Sequence, residues 1–311
     1  MKTHLKTFVV VFCLSFSFMP CFAACPPSDL SGDCVVNFKD FALMADQWLM
    51  VYDSNDLAVM ALEWLTEGIP EPDITWVYIN DLGVTGYESF TGYVSKYETT
   101  NAQYCQFLNA ALATGDITVI GNDVVGANGS NTGADFAGEY YYNLAGPGYT
   151  YNDATNGGAA RINYTGNAFT FDAGFESHPV PYVSWYGATA FCNYYGWRLP
   201  TEWEWQAAAD YDGSFIYGCG TNINTNIANY RDTVHLNGTT ITGSFGAYGY
   251  GLCDTAGNVQ EWTSSVQSVL SRHIRGGGWR NYDNACTVSF RGFVIPESMD
   301  YKIGFRVFRN F

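Results

Sequence analysis

The chain has 311 residues and carries 30 acidic against 14 basic side chains, a formal charge of −16. A field of that sign repels phosphate and excludes nucleic acid or an anionic membrane as a partner held by bulk charge. Aromatics at 17%, 33 glycines and only 14% charged residues exclude a bundle of long helices and predict a loop-rich fold with a core of Trp, Tyr and Phe.

The first segment, MKTHLKTFVVVFCLSFSFMPCFAAC, sets Lys2 and Lys6 ahead of an apolar run from Phe8 to Phe22 and a small-residue step at Ala23 and Ala24. That is the layout of a secretory leader over residues 1–24, and its run is shorter than the roughly 20 residues of a bilayer span. The expectation is a secreted or periplasmic soluble chain, with acylation of Cys25 as the competing fate of the same junction. Losing the leader and its two lysines moves the formal charge from −16 to about −18. Cys25, Cys34, Cys105, Cys192, Cys219, Cys253 and Cys286 then remain, an odd set that leaves a thiol unpaired or paired between chains.

Residues 25–67 form a small module by their pattern. DLSGDCVVNFKD puts Asp29, Ser31, Asp33, Asn37 and Asp40 at loop positions 1, 3, 5, 9 and 12, with the Val35 carbonyl at position 7, which is EF-hand calcium spacing. Phe41, Met44, Ala45, Trp48 and Leu49 follow at helical period, and KDFALMADQWL (39–49) repeats as NDLAVMALEWL (55–65) with six identities in eleven positions. A calcium loop with this repeated helix resembles a type I dockerin, and the resemblance implies docking to a cohesin-like protein. The sequence departs from that family at loop position 6, where Cys34 replaces the usual glycine, and it has no second full calcium loop. A local Cys25–Cys34 disulfide would restore rigidity there. A calcium-stapled helical hairpin without a partner is the alternative. The prolines and acids of TEGIPEPD mark the linker, placed at residues 68–73.

The large domain spans residues 74–311. WVYIND and GYVSKYET read as strands. TNAQYCQFLNAALA opens on a Thr100-x-x-Gln103 capping box and gathers Tyr104, Phe107, Leu108, Ala111 and Leu112 on one helical face. ARINYTGNAFTF predicts a hairpin turning near Thr165 and Gly166. HPVPYVSWYGATAFCNYYGWRLPTEWEWQAAA predicts a helix capped by Ser184, a turn, and a second helix with a Thr201-x-x-Glu204 box. GYGLCDTAGNVQEWTSS, HIRGGGWRN and GFRVFR follow.

This ordered succession resembles the formylglycine-generating enzyme, or sulfatase-modifying factor, family. The resemblance implies a C-type-lectin-like α+β fold with short helices and many loops. It implies a calcium site in GLCDTAGNVQEWT, from the Asp254 and Glu261 carboxylates and the Gly257 and Val259 carbonyls, a donor set suited to a hard cation. The alternative is that these acids cap turns. A second calcium site is implied at the Asn229 side chain and the Tyr230 carbonyl, with Asp232 as the acid at hand.

The family's oxidases hold Cu(I) on two cysteines five positions apart and convert a substrate cysteine to formylglycine with O2; paired thiolates suit that soft ion. Here the second position is Cys286 and the first is Asn281, whose amide is a poor Cu(I) ligand. Gly278 stands where the oxidases tend to carry Ser, and Gln260 where they carry Trp. Val307 replaces the cysteine that the family tends to bridge to the position of Cys192. His178, His235 and His273 show no metal-ligand spacing, and no G-x-S-x-G elbow occurs. The expectation is a secreted, calcium-stabilised, catalytically degenerate protein that binds a glycan or peptide. The alternative is a copper- and oxygen-dependent formylglycine-generating-type oxidase or sulfatase-maturation protein with Cys286 as its catalytic thiol.

Overall fold

The structure, a computed structural model, describes residues 71–81, 89–127, 136–144, 159–231 and 238–310. The leader, the calcium loop and helices expected over residues 25–67, Asp232 and His235 lie outside the described residues. The chain divides into two compact units, Met1–Glu71 and Pro72–Phe311, and the described helices and strands all belong to the second.

In chain order these are β1 (Trp76–Asn80), β2 (Thr91–Ser95), α1 (Asn101–Thr114), β3 (Ile117–Ile120), β4 (Asp123–Gly126), β5 (Tyr140–Asn143), β6 (Ile162–Thr165) and β7 (Ala168–Phe171). Then come α2 (Trp185–Tyr194), α3 (Glu202–Asp210), β8 (Ala247–Tyr248), β9 (Leu252–Cys253), β10 (Gln260–Ser268) and β11 (Ser271–Arg275). Strands β12 (Gly292–Val294), β13 (Ile303–Gly304) and β14 (Phe308–Arg309) complete the domain. The result is a mixed α/β fold with few helices and several small sheets.

Local chemistry sets the helix ends. The Thr100 hydroxyl accepts from the Gln103 N–H while the Gln103 side chain accepts from the Thr100 N–H, so α1 starts on the expected box. It stops at Gly115, whose φ of +77° closes the last turn. The Ser184 hydroxyl accepts from Gly187 N–H at the start of α2, and the Thr201–Glu204 box starts α3. The β6–β7 hairpin turns on Gly166 and Asn167, both at positive φ (62° and 63°), one residue beyond the expected centre. That conformation makes the two-residue turn whose twist matches its strands.

Two sheets position the functional region. β14 pairs with β2 in the order β1-β2-β14, so the end of the chain returns to the domain's first hairpin. The order β12-β11-β10-β13 holds the RGGGW segment beside the start of β10. The core between helices and strands is aromatic: Tyr104 stacks on Phe191 with ring centroids 5.8 Å apart, and Phe107 and Phe305 approach Phe191 edge-on. Such contacts add about 0.5–1.5 kcal/mol per pair beyond the area they bury.

Gly187 lets α2 lie directly on β5, because a Cβ there would collide with the Tyr141 carbonyl and lie 2.6 Å from the Tyr104 hydroxyl. Gly187→Ala is expected to destabilise the domain by about 1–3 kcal/mol through this overpacking. Urea unfolding at equilibrium measures it, and an unchanged midpoint refutes the close approach.

Candidate functional site

The predicted calcium segment 254–261 wraps a buried acidic centre. Glu261, the second residue of β10, accepts from Arg306 Nε and Nη2, both at 2.7 Å, and from Trp205 Nε1 at 2.6 Å. Glu261 is fully buried and Arg306 is 1% exposed. Arg306 also donates to the carbonyls of Ser95, Lys96 and Cys253. Asp254 holds a φ of +57° and accepts from Gly243 N–H at 2.6 Å.

Sequence reasoning missed Glu98, the third acid. Its carboxylate accepts from Val259 N–H at 3.0 Å and from Asn258 Nδ2 at 2.6 Å. Three buried carboxylates thus share the field of one buried guanidinium. Burial, then Asp254 and Glu261, raise Glu98 well above the usual carboxylate range, with Arg306 opposing. Burial pushes Asp254 up to about 6, against the Gly243 hydrogen bond and Arg306.

The two predicted calcium segments touch. Gly257, at φ +91°, packs on the Asn229 carbonyl where a Cβ would collide, and Asn258 N–H donates to that carbonyl at 2.8 Å. Asn229 Nδ2 donates to the Gly238 carbonyl and to Asn258 Oδ1, while its own Oδ1 is buried without a hydrogen-bond partner. Tyr230 is buried beside it. Among the described residues no three acidic, histidine or cysteine side chains form a metal cage by themselves. A cation here would take backbone carbonyls for much of its shell.

The RGGGW segment carries the second feature, a thiol pocket. Cys286 ends a 3₁₀ turn, Asp283–Cys286, fully buried, and its Sγ donates to the Tyr282 carbonyl at 3.6 Å. Gly277 makes room for it, since a Cβ there would lie 2.5 Å from Sγ. Burial, with Cys219 and Asp283 adding to it, pushes the thiol up to about 12. Asn281 Oδ1 accepts from Gly278 N–H at 2.9 Å, and Asn281 N–H donates to the Gly278 carbonyl, so the amide closes its own turn. At Gly278 a Cβ would lie 3.0 Å from the Lys302 carbonyl and 3.3 Å from the Gln260 nitrogen, leaving little room for a serine.

Cys219 is the neighbour that sequence spacing did not reveal. The Tyr217–Thr287 bridge brings its turn to Cys286, and both thiols join one buried cluster with Ala228, Tyr230 and Ala256. Cys219 Sγ donates to the Asn222 carbonyl, and burial pushes it up to about 11. Cys105, Cys192 and Cys253 are likewise buried free thiols, so all five cysteines among the described residues are unbridged.

Elsewhere, a groove of about 450 Å³ runs between α2 and α3, lined by Trp185, Thr189, Asn193, Arg198, Thr201 and Glu204 among others. Arg198 is fixed there by a two-pronged bond to Glu204, at 2.6 and 2.8 Å.

The sequence of residues 86–311 matches the family described as the sulfatase-modifying factor enzyme 1-like domain. Among curated relatives, serine/threonine-protein kinase pkn1 of Chlamydia pneumoniae is 31% identical over 180 residues, 51% of this chain and 28% of that one. Formylglycine-generating enzyme of Streptomyces coelicolor is 32% identical over 169 residues, 43% of this chain and 53% of that one. Inactive C-alpha-formylglycine-generating enzyme 2 of Bos taurus is 32% identical over 148 residues, 41% of this chain and 49% of that one. The chain thus spans about a quarter to a half of these relatives' lengths. The solved structure of CarF shares the fold at a TM-score of 0.53 and 19% identity, covering 77% of this chain and 99% of CarF. The match covers most of the large domain, and the chain belongs to the sulfatase-modifying factor enzyme 1-like family.

Proposed function

We propose that this is an exported, calcium-stabilised member of the family that has lost oxidase chemistry and uses its large domain to bind a glycan or peptide. The observation that carries this reading is Asn281, whose amide is spent on the Gly278 turn in the place of the first copper cysteine. Its neighbour Cys286 is buried and protonated, the opposite of an activated thiolate. The residues at 281 and 286 therefore do not fit Cu(I) as a pair. A relative named as inactive has comparable similarity to this chain. The groove beside Trp185 offers an aromatic ring with hydroxyl, amide and charged groups, a lining suited to a sugar or peptide.

Calcium fits the acidic centre in charge. Asp254 and Glu261, with the Gly257 and Val259 carbonyls, would hold the ion, Glu261 beside its bonds to Arg306 and Trp205, while Glu98 supplies negative field. The partnerless Asn229 Oδ1 fits a second ion with the Tyr230 carbonyl. Asp29, Ser31, Asp33, Val35, Asn37 and Asp40 would hold a third in the N-terminal module, which on this reading docks to a cohesin-like protein.

A copper-dependent oxidase is the second reading, and Cys219 favours it by placing another thiol in the Cys286 pocket. Cu(I) competition against a chelator under reducing conditions separates the two, using the parent, C219S and N281C. Weak binding by the parent and strong binding by N281C support the silent site. Tight binding by the parent that C219S abolishes, with oxygen uptake on a cysteine-containing sulfatase-type peptide, supports the oxidase.

The calcium reading predicts a pH dependence with a definite sign. Asp254 is held at about 6 in the fold against an ordinary 3.8, so between those values the folded chain binds a proton that the unfolded chain has released. Its contribution to stability is therefore lost as pH rises from about 4 to about 6, and Glu98 shifts in the same direction. In chelator the melting temperature should be higher near pH 5 than near pH 7, and calcium should restore stability at pH 7 by mass action. D254N should blunt both responses. A melting temperature indifferent to chelator at pH 7 would overturn the site.

A further inference from the structure

The first sheet, β1-β2-β14, has one face in the core and one in solvent. Ile79, Val94 and Phe308 pack inward with Phe90, Ala207 and Leu252, and Val77 packs against the same cluster. Strand alternation sends the other set outward: Trp76, Tyr78 and Asn80 of β1, Thr91 and Tyr93 of β2, and Arg309 of β14. The register puts Tyr78, Tyr93 and Arg309 in one row across the three strands. The two tyrosine rings lie 5.5 Å apart, and Tyr78 is 49% exposed. The Arg309 guanidinium lies 4.9 Å from the Tyr93 ring and 4.3 Å from the Trp76 ring. Trp76 is anchored edge-on against buried Trp197, with centroids 5.3 Å apart. The rings and the cation are thus held in place before any ligand arrives.

Cross-strand aromatic pairs also stabilise sheets, and rings alone would signify no more than that. The charge on this face goes further. The outward set holds no acid, in a chain where acids outnumber bases 30 to 14. Arg309 takes part in none of the ion pairs formed among the described residues, whereas Arg161, Arg198, Arg275, Arg291 and Arg306 are each paired. A guanidinium lodged over aromatic rings keeps its charge and its fork of in-plane donors. The complementary ligand offers apolar faces to the rings and an anion to the fork. A pyranose glycan with a carboxylate does both, since its ring C–H groups form the apolar face, its hydroxyls stay in water, and its carboxylate accepts charge-assisted bonds. One cation on the face calls for one acidic sugar among neutral neighbours, because denser charge, as in nucleic acid, meets the repulsion of a chain at −16.

We propose that the outer face of β1-β2-β14 binds an acidic glycan, with sugar faces on Trp76, Tyr78 and Tyr93 and a carboxylate on Arg309. This goes beyond the function proposed above: it names a second face, apart from the groove beside Trp185, and stands whichever way the calcium and copper tests fall.

The test is isothermal titration of the full chain with hyaluronan oligosaccharides, whose carboxylates stand on alternate sugars. The parent is expected to bind, and R309Q to bind about tenfold more weakly through loss of the charge-assisted pair. Y78S should also bind more weakly and Y78F as the parent does, since the ring makes the contact. Urea midpoints of R309Q and Y78S near the parent's show that weaker binding is not loss of fold. Raised salt should weaken binding, and neutral dextran oligosaccharides should bind far less well than hyaluronan. No binding by the parent, or equal binding by R309Q, overturns the proposal. So does equally tight binding of an oligoglutamate peptide, which would make this a face for acidic protein. Binding lost in N193A and kept in R309Q also overturns it, and puts the glycan in the groove beside Trp185 instead.

Discussion

The bidentate pair between Glu261 and Arg306 is the contact on which the large domain's interior depends. Arg306 reaches Glu261 with two nitrogens and spends the rest of its fork on the carbonyls of Ser95, Lys96 and Cys253. One side chain near the C-terminus thereby ties the exit of β2, the loop at Cys253 and the start of β10 to β14, which closes the first sheet. Removing one partner of such a pair costs about 3–5 kcal/mol, mostly from the charge left unpaired. The pairing also fixes the negative excess, because Glu98 and Asp254 enter the same field without a guanidinium of their own.

Burial has opposite consequences in the two features of the site. For the carboxylates it raises the cost of the anion, and a cation can repay that cost, so acids in the dark interior create demand for a metal. For the thiols it favours the neutral form, in which Cys219 and Cys286 each donate a proton to a carbonyl and ask for nothing further. The same low-dielectric environment that raises the carboxylates therefore quiets a cysteine. Activating either thiol would require a positive charge near Sγ, and the groups that couple to Cys286 are Asp283, an anion of the wrong sign, and Cys219, itself a buried thiol.

What the sequence made legible was local. The Thr100, Ser184 and Thr201 caps and the β6–β7 hairpin each rest on atoms within a few positions, so residue spacing reports them directly. Asn281 was legible as a departure from a motif, although only the structure shows what its amide does instead. Glu98 and Cys219 were not, because their meaning lies in partners far along the chain: Glu98 bonds Val259 across 161 positions, and an acid ahead of an N-cap reads as an ordinary solvated loop residue. The aromatic composition predicted the kind of core but not that Phe191 would be its centre.

The departures from the oxidase pattern are also physically coupled. Gln260 N–H donates to the Lys302 carbonyl, which draws that carbonyl to within 3.0 Å of where a Cβ on Gly278 would stand. Gly278 then offers its N–H to Asn281 Oδ1, a bond that cysteine, with a weakly accepting sulfur, would make poorly. The segments around 260, 278 and 281 thus form one packed unit, and a cysteine at 281 alone would restore a thiol while leaving the place of the serine occupied by backbone. The RGGGW turn therefore differs from the oxidase pattern as one packed unit, and a single substitution at 281 would change one side chain without changing the backbone arrangement around Gly278.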